Sequence, residues 1–208
     1  MIAVDARVVL YGANEAVVPP AITPYPGHYR QRFELPDGSF AVIRPILPQD
    51  HKKVLDMFRE MKTHTRGSFE KLKDAVSPAD ADLLRRAEHS LAPSPHFFDF
   101  IDTLSLDYEK EISLVVVPEG QTEIFGIARL TLDRKSSTGS FAVAFPSLYR
   151  YIRSTLLHSL IAVAKSEKLK SINSVFAKDA HILRLAEELN FEIKSLDNGL
   201  VYIEKVIS

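Results

Sequence analysis

From Ser140 to Asn198 the chain contains no glycine. A run of that length has to fold through several elements, yet every turn in it must be made by residues that carry a Cβ. For such residues the left-handed backbone region costs about 1 kcal/mol or more. A glycine-rich cradle, in which backbone amides close around a phosphate, is excluded from this stretch, and any such loop has to lie before Gly139. The shortage is general, since 8 glycines in 208 residues is about 4%, against a usual share of roughly 7%.

At roughly 150 residues per domain, 208 residues predict one domain with an appendage. Hydrophobic residues at 46% and charged residues at 25% supply a globular core. The absence of cysteine excludes disulfides, thiolate metal sites and a cysteine nucleophile. Lys+Arg of 26 against Asp+Glu of 27 leaves a net charge of -1, which argues against nucleic acid as principal partner because phosphate neutralisation needs a basic surplus. No basic leader with a long apolar stretch opens the chain, and no run approaches the length of a membrane span. A soluble cytoplasmic protein with no membrane partner is the expectation. The seven histidines include no pair at i, i+4, so no metal site is expected.

Seven of the twelve prolines fall in the first 48 residues, which predicts a proline-rich arm over 1–28 and a single domain over 29–208. Tyr29 to Leu35 and Ser39 to Ile43 alternate in polarity around Pro36-Asp-Gly38 and read as a hairpin. Pro48-Gln-Asp50 opens a helical period through Val54, Leu55, Phe58 and Met61, and Ser77-Pro-Ala-Asp80 opens another through Leu83, Leu84, Ala87 and Leu91. Three β-branched or aromatic runs follow, Glu111 to Val117, Ile124 to Leu132 and Gly139 to Phe145, forming a meander whose last hairpin tip is Arg134 to Thr138. A helix with Ile152, Leu156, Leu160 and Ala164 on one face comes next, with Ser147 as its candidate cap. A strand at Ser171 to Phe176, a helix capped by Asp179 and a closing strand pair complete the order β-β-α-α-β-β-β-α-β-α-β-β. A meander followed by a strand-helix-strand crossover implies an α/β fold, a mixed central sheet flanked by helices on both faces.

Several segments carry a resemblance: Phe33-Glu-Leu-Pro-Asp-Gly38 with Ile43-Arg-Pro-Ile46, Leu106-Asp-Tyr108-Glu-Lys-Glu111, Ile124-Phe-Gly-Ile-Ala-Arg-Leu130, Phe141-Ala-Val143 and Ile182-Leu-Arg-Leu-Ala-Glu-Glu-Leu-Asn-Phe191. Together they resemble the GNAT acetyltransferase domain of bacterial protein lysine acetyltransferases, from about Pro24 to the C-terminus. The resemblance implies transfer of an acetyl group from acetyl-CoA to a small-molecule or protein amine, a lysine among them, with a homodimer as one arrangement. It implies a cofactor site built from Phe141, Val143, Phe145, Arg150, Tyr151, Arg153, Ser154 and Asp179, with no metal.

Such chemistry needs a general base to free the amine and donors to hold the oxyanion. The family's glutamate just before the Phe-Ala-Val strand corresponds to Ser140, a poor base, so that role moves to Glu111, Glu123 or His158. The family's glycine-bearing phosphate loop corresponds to Pro146-Ser-Leu-Tyr-Arg-Tyr-Ile-Arg-Ser154, where bulky Tyr149 and Tyr151 stand and the helix could reach back to Ser147. Arg150 and Arg153 lie in the first turns of that helix, where cations oppose the macrodipole, and an anion held by their side chains would relieve this; two solvated arginines are the plainer reading. His158 reads as a boundary residue, and His96-Phe-Phe-Asp-Phe100 reads as packing, with an acyl or peptide pocket as second reading. The sequence thus predicts a GNAT-fold N-acetyltransferase-like protein with a degenerate acetyl-CoA site, its activity weak, altered or lost. The alternative is a noncatalytic pseudoenzyme module that binds another ligand or a protein partner in a regulatory role.

Overall fold

The computed structural model describes residues 24–65, 107–177, 180–195 and 200–207. The helix expected over 77–91, the aromatic cluster at 96–100 and Asp179 lie outside them. Among the described residues eight strands form one sheet in the order β1-β2-β3-β4-β5-β6-β8-β7. They are β1 (Gln31–Glu34), β2 (Phe40–Pro45), β3 (Glu111–Pro118), β4 (Gly126–Asp133), β5 (Thr138–Ala144), β6 (Ser171–Ala177), β7 (Glu192–Ser195) and β8 (Leu200–Val206). Among the described residues the helices are α1 (His51–Thr65), α2 (Ile152–Ser166) and α3 (Ala180–Glu188). Every neighbouring pair is antiparallel except β5 and β6, which the α2 crossover makes parallel. The mixed sheet follows from the expected element order.

Strand alternation sorts the core into two faces. On one, Leu114, Ala128, Leu130, Phe141 and Val143 pack against Ile152, Leu156, Leu160 and Ala164 of α2 and Ala186 and Leu189 of α3. On the other, Val115, Ile127 and Ala144 pack against Val54, Met57 and Phe58 of α1. The corner leading into α1 is fixed by a fully buried carboxylate: Arg44 donates from Nη1 and Nη2 to Asp50 Oδ2 and Oδ1 at 2.5 and 2.8 Å, and the Leu47 amide donates at 2.9 Å. This bidentate fork is what ties the Arg-Pro-Ile segment to Pro48-Gln-Asp50.

The stretch expected as an arm is described from residue 24 onward, where Pro26 is buried and its neighbours are exposed. Tyr25 donates to the Pro45 carbonyl at 3.1 Å. Tyr29 is buried and donates to Glu167 at the end of α2 at 2.7 Å; burial, with the Glu167 carboxylate beside it, pushes its phenol up to about 12.

The glycine shortage shows at the helix ends. α2 and α3 are closed by Lys168 and Asn190 at φ 56° and 55°, and the amides of Leu169 and Phe191 return to the carbonyls of Ala164 and Ala186 at 3.0 and 2.8 Å. These are the positions where glycine is usually found. Ser147 does not cap α2: Pro146, at φ -56° and ψ 147°, starts a separate 3-10 turn over Ser147–Tyr149, and α2 begins at Ile152 with no side-chain cap. The proline's extended ψ bends the chain before the helix can start.

Gly126 has a packing role. A Cβ there would stand 2.6 Å from Ile152 Cδ1, 3.2 Å from the Ala144 carbonyl and 3.2 Å from Phe145 Cβ. Its absence lets the first turn of α2 lie against β4. Gly126→Ala is expected to lower stability by about 1–3 kcal/mol through overpacking. Lys168→Gly is expected to raise it by about 1 kcal/mol by relieving the left-handed backbone. Urea unfolding of both variants checks the pair of signs.

Candidate functional site

The parallel ladder between β5 and β6 is short. It joins Thr138 to Ser171, Gly139 to Ile172 and Ser140 to Asn173, and then stops, although β5 runs to Ala144 and β6 to Ala177. Each strand stays paired on its other side, β5 with β4 through Ala144 and β6 with β8 through Ala177. The two therefore diverge as a V with its vertex at Ser140 and Asn173. Just past the vertex, fully buried Ser174 donates from Oγ to the Phe141 carbonyl at 2.7 Å, supplying the partner that the missing ladder withholds.

The gap opens onto a cavity of about 140 Å³ on the α2 and α3 face. Val143 and Phe145 line it from β5 and just beyond, Arg153 and Leu157 from α2, and Leu185 and Ala186 from α3; Phe176, Phe191 and Ile203 complete it. Phe141 packs behind two of the lining rings, its centroid 6.0 Å from that of Phe176 and 5.8 Å from that of Phe191. Among the described lining residues Arg153 is the one that carries a charge, its guanidinium carbon 5.0 Å from the Phe145 ring centroid. The cavity thus combines an apolar slot, an open strand edge of backbone donors and acceptors, and a cation in its lining.

The loop before α2 is held inward. Tyr149 stacks on Phe125 at 3.7 Å and 8°, and its amide returns to the Pro146 carbonyl at 2.9 Å. The Arg153 amide returns to the Arg150 carbonyl at 3.2 Å. These two amides are spent on the chain itself. Tyr151 and Arg150 are exposed, and Ser154 lies one turn before His158, whose Nδ1 is 2.9 Å from the Ser154 carbonyl. His158 is exposed on α2, and Glu123 is exposed in the loop before β4.

The remaining expected residues sit on the opposite face of the sheet. Glu111 is buried and ion-paired with buried Arg129, and Ser113 donates to it at 3.0 Å. Burial pushes the Glu111 carboxyl up, against the pull of Arg129 and Ser113. Ser140 lies two strands away in the same row, joined to Glu111 through Thr131. The structure thus brings Val143, Phe145 and Arg153 together at the cavity, with Phe141 packed behind its Phe176 and Phe191 rings, and puts Glu111 and Ser140 on the opposite face of the sheet, while His158 and Glu123 join neither group. Sequence reasoning missed Arg129, Asn173 and Ser174. Arg129 alone left a signal, a charge at an inward position of the Ile127, Arg129, Thr131 alternation. Among the described residues no group of three His, Asp or Glu is arranged to hold a metal ion, and no helix is long and apolar enough to cross a membrane.

This architecture is that of the GNAT acetyltransferases. No family model matches the chain. Among solved structures it is similar to the GNAT domain of S. lividans PAT, with 16% identity and a TM-score of 0.62 over 88% of this chain and 99% of that one. An N-acetyltransferase from Staphylococcus aureus aligns at 17% identity and a TM-score of 0.56, over 81% and 99% of the two chains. PaiA N-acetyltransferase from Thermoplasma acidophilum, solved in complex with coenzyme A, aligns at 15% and 0.54, over 80% and 98%. At these identities the likeness defines the fold.

Two outcomes follow from the buried groups. Ser174→Ala, which leaves the Phe141 carbonyl buried and unpaired, should cost about 1–3 kcal/mol in urea unfolding. Glu111→Gln should cost about 3 kcal/mol by leaving the Arg129 charge uncompensated, whereas Glu111→Leu combined with Arg129→Met should recover most of that loss.

Proposed function

We propose that the protein is a GNAT-fold N-acyltransferase whose acyl-CoA site departs from the glycine-loop pattern, so that it acts weakly or on an altered donor. The observation that carries this reading is the V between β5 and β6 with an apolar cavity in its mouth. An open strand edge beside a slot suits an extended arm that carries amides, since such an arm can take up the strand's unused donors and acceptors. At about 140 Å³ the cavity is small beside the 300–1,000 Å³ of ordinary ligand sites. It fits the slender thioester end of coenzyme A, with the nucleotide left outside.

The pyrophosphate end fits less well. With the Tyr149 and Arg153 amides turned to Pro146 and Arg150, the amide cradle of a glycine loop is incomplete, and side-chain charge from Arg150 and Arg153 takes its place. Phe141, Val143, Phe145, Leu157 and Ala186 would hold the thioester end, and coenzyme A would supply there an acyl group activated as a thioester. The chain's own part is then to exclude water through the Phe141, Phe176 and Phe191 rings and to offer strand donors where negative charge develops. Glu111, whose carboxyl is pushed up by burial, is the group on the acceptor face that takes the amine's proton.

Calorimetric titration with coenzyme A and acetyl-CoA tests the reading. Binding is expected, and at 100 times the dissociation constant the ligand should add about 2.7 kcal/mol to stability. Arg153→Ala should weaken binding by about tenfold, as loss of one charge-assisted contact does, and Ala186→Trp, which fills the slot, should abolish it. Absence of any thermal shift at millimolar cofactor would overturn the proposal in favour of a noncatalytic module.

A further inference from the structure

Three of the residues that line the cavity come from one short stretch of chain: Leu185 and Ala186 on α3, and Phe191 just beyond its end. Between them the helix stops and the chain reverses without a glycine. The amides of Leu189 and Asn190 return to the carbonyls of Leu185 and Glu187, both at 3.0 Å, Asn190 takes φ 55°, and the Phe191 amide returns to the Ala186 carbonyl at 2.8 Å. The Leu189 and Asn190 carbonyls follow the last helical residue, Glu188, so no further turn of helix supplies them with amides. Lys205 reaches both of them from β8. Its Nζ donates to the Leu189 carbonyl at 2.8 Å and to the Asn190 carbonyl at 3.4 Å, and stands 5.8 Å from the Phe191 ring centroid. Lys205 lies two residues beyond Ile203, itself a lining residue, and so on the same face of the sheet. The ladder between β7 and β8 stops at Glu192 and Glu204, one residue short of Phe191 and Lys205. The lysine side chain carries the tie on where the backbone ladder ends.

We infer that Lys205 is a positioning residue of the cavity: by pinning the turn between α3 and β7 to β8, it fixes where Leu185, Ala186 and Phe191 stand and so governs how well the cavity takes its ligand. The inference rests on the acyl-CoA reading for the ligand, and adds a residue that touches neither cofactor nor reacting atoms. A primary ammonium offers three donors and no acceptor, which matches two carbonyls that converge on one point. Its charge also suits the end of a helix, where the exposed carbonyls carry partial negative charge. The turn has few other polar ties to the sheet. β7 is an edge strand of four residues joined to the sheet through β8 alone, and α3 is held from within by the apolar packing of Ala186 and Leu189. Apolar packing resists separation more than sliding, because it has no direction. The two bonds from Lys205 supply direction, and they act at the Asn190 turn, which holds the left-handed conformation that glycine adopts more readily. Small displacements of this wall matter, since a shift of about 1 Å in a residue remote from the chemistry can cost an enzyme about a hundredfold.

The test combines calorimetric titration of the full chain with coenzyme A and hydrogen exchange of its backbone amides. Lys205→Met keeps the aliphatic stem and removes the donors. It should weaken coenzyme A binding by about tenfold, the loss expected for hydrogen bonds from a charged group, and speed exchange of the Leu189 and Phe191 amides by about tenfold while the amides of β3 and β4 exchange as in the parent. Lys205→Arg, which keeps charge and donors, should behave as the parent does. Adding Asn190→Gly to Lys205→Met should recover Tm, because glycine takes φ 55° freely, yet leave binding weak. Binding that returns together with Tm would mark a purely stabilising role and overturn the inference, as would parental binding and exchange in Lys205→Met or an equal loss in Lys205→Arg. If the parent itself fails to bind coenzyme A, the acyl-CoA reading falls and exchange decides alone: acceleration confined to 185–191 in Lys205→Met upholds the positioning role, and acceleration spread over the whole sheet overturns it.

Discussion

The ladder between β5 and β6 ends after three residue pairs, and the rest of the molecule is arranged around that ending. A strand that leaves its neighbour exposes backbone groups that cannot stay unpaired in a core. Ser174 answers the first of these by donating to the Phe141 carbonyl. The rings of Phe176 and Phe191 line the cavity with Phe141 packed behind them, and Gly126 lets α2 close over the top. Without the parting the cavity would be ordinary sheet interior, and Ser140 and Asn173 would be interior positions of a continuous ladder.

Two buried ion pairs show how differently the same chemistry can be used. Asp50 is buried, which alone would raise its carboxyl, but the Arg44 fork and the Leu47 amide outweigh that and hold it below the ordinary value of 3.8. Its stabilisation is present above that value and is lost as pH falls through the lowered one. Glu111 goes the other way: burial outweighs Arg129, its carboxyl is raised above the ordinary 4.5, and the stability linked to its proton is present below 4.5 and lost as pH rises through the raised value. At neutral pH the first pair anchors a corner, while the second holds a carboxylate under pressure to accept a proton.

Much of the fold was legible because its signals are local. The β-branched and aromatic runs in Glu111 to Val117 and Ile124 to Leu132, the four-residue repeat from Ile152 to Ala164 and the turn at Gly38 each report on their own neighbourhood, and the structure has strands, helix and turn there. What escaped was non-local. Tyr149, read as an obstruction in the phosphate loop, stacks on Phe125, a partner that no spacing in the sequence connects to it. Ser174 looks like any small strand residue until the parting of β5 and β6 gives its hydroxyl a carbonyl to serve. Ser140, Thr131 and Asn173 form a row only once three strands are in register. The cost of positive φ without glycine is met at Lys168 and Asn190, which adopt it where a helix must end.

The eight strands form a leaf of five and a leaf of three, stitched by three residue pairs. In each leaf the neighbouring strands share ladders of four to seven residue pairs. Resistance to bending scales with the hydrogen bonds that must distort, so among the described strands compliance concentrates at the stitch. Flexing there changes the width of the cavity and leaves the interior of both leaves unstrained. The described sheet is therefore two stiff plates on a narrow joint, with the cavity at the joint.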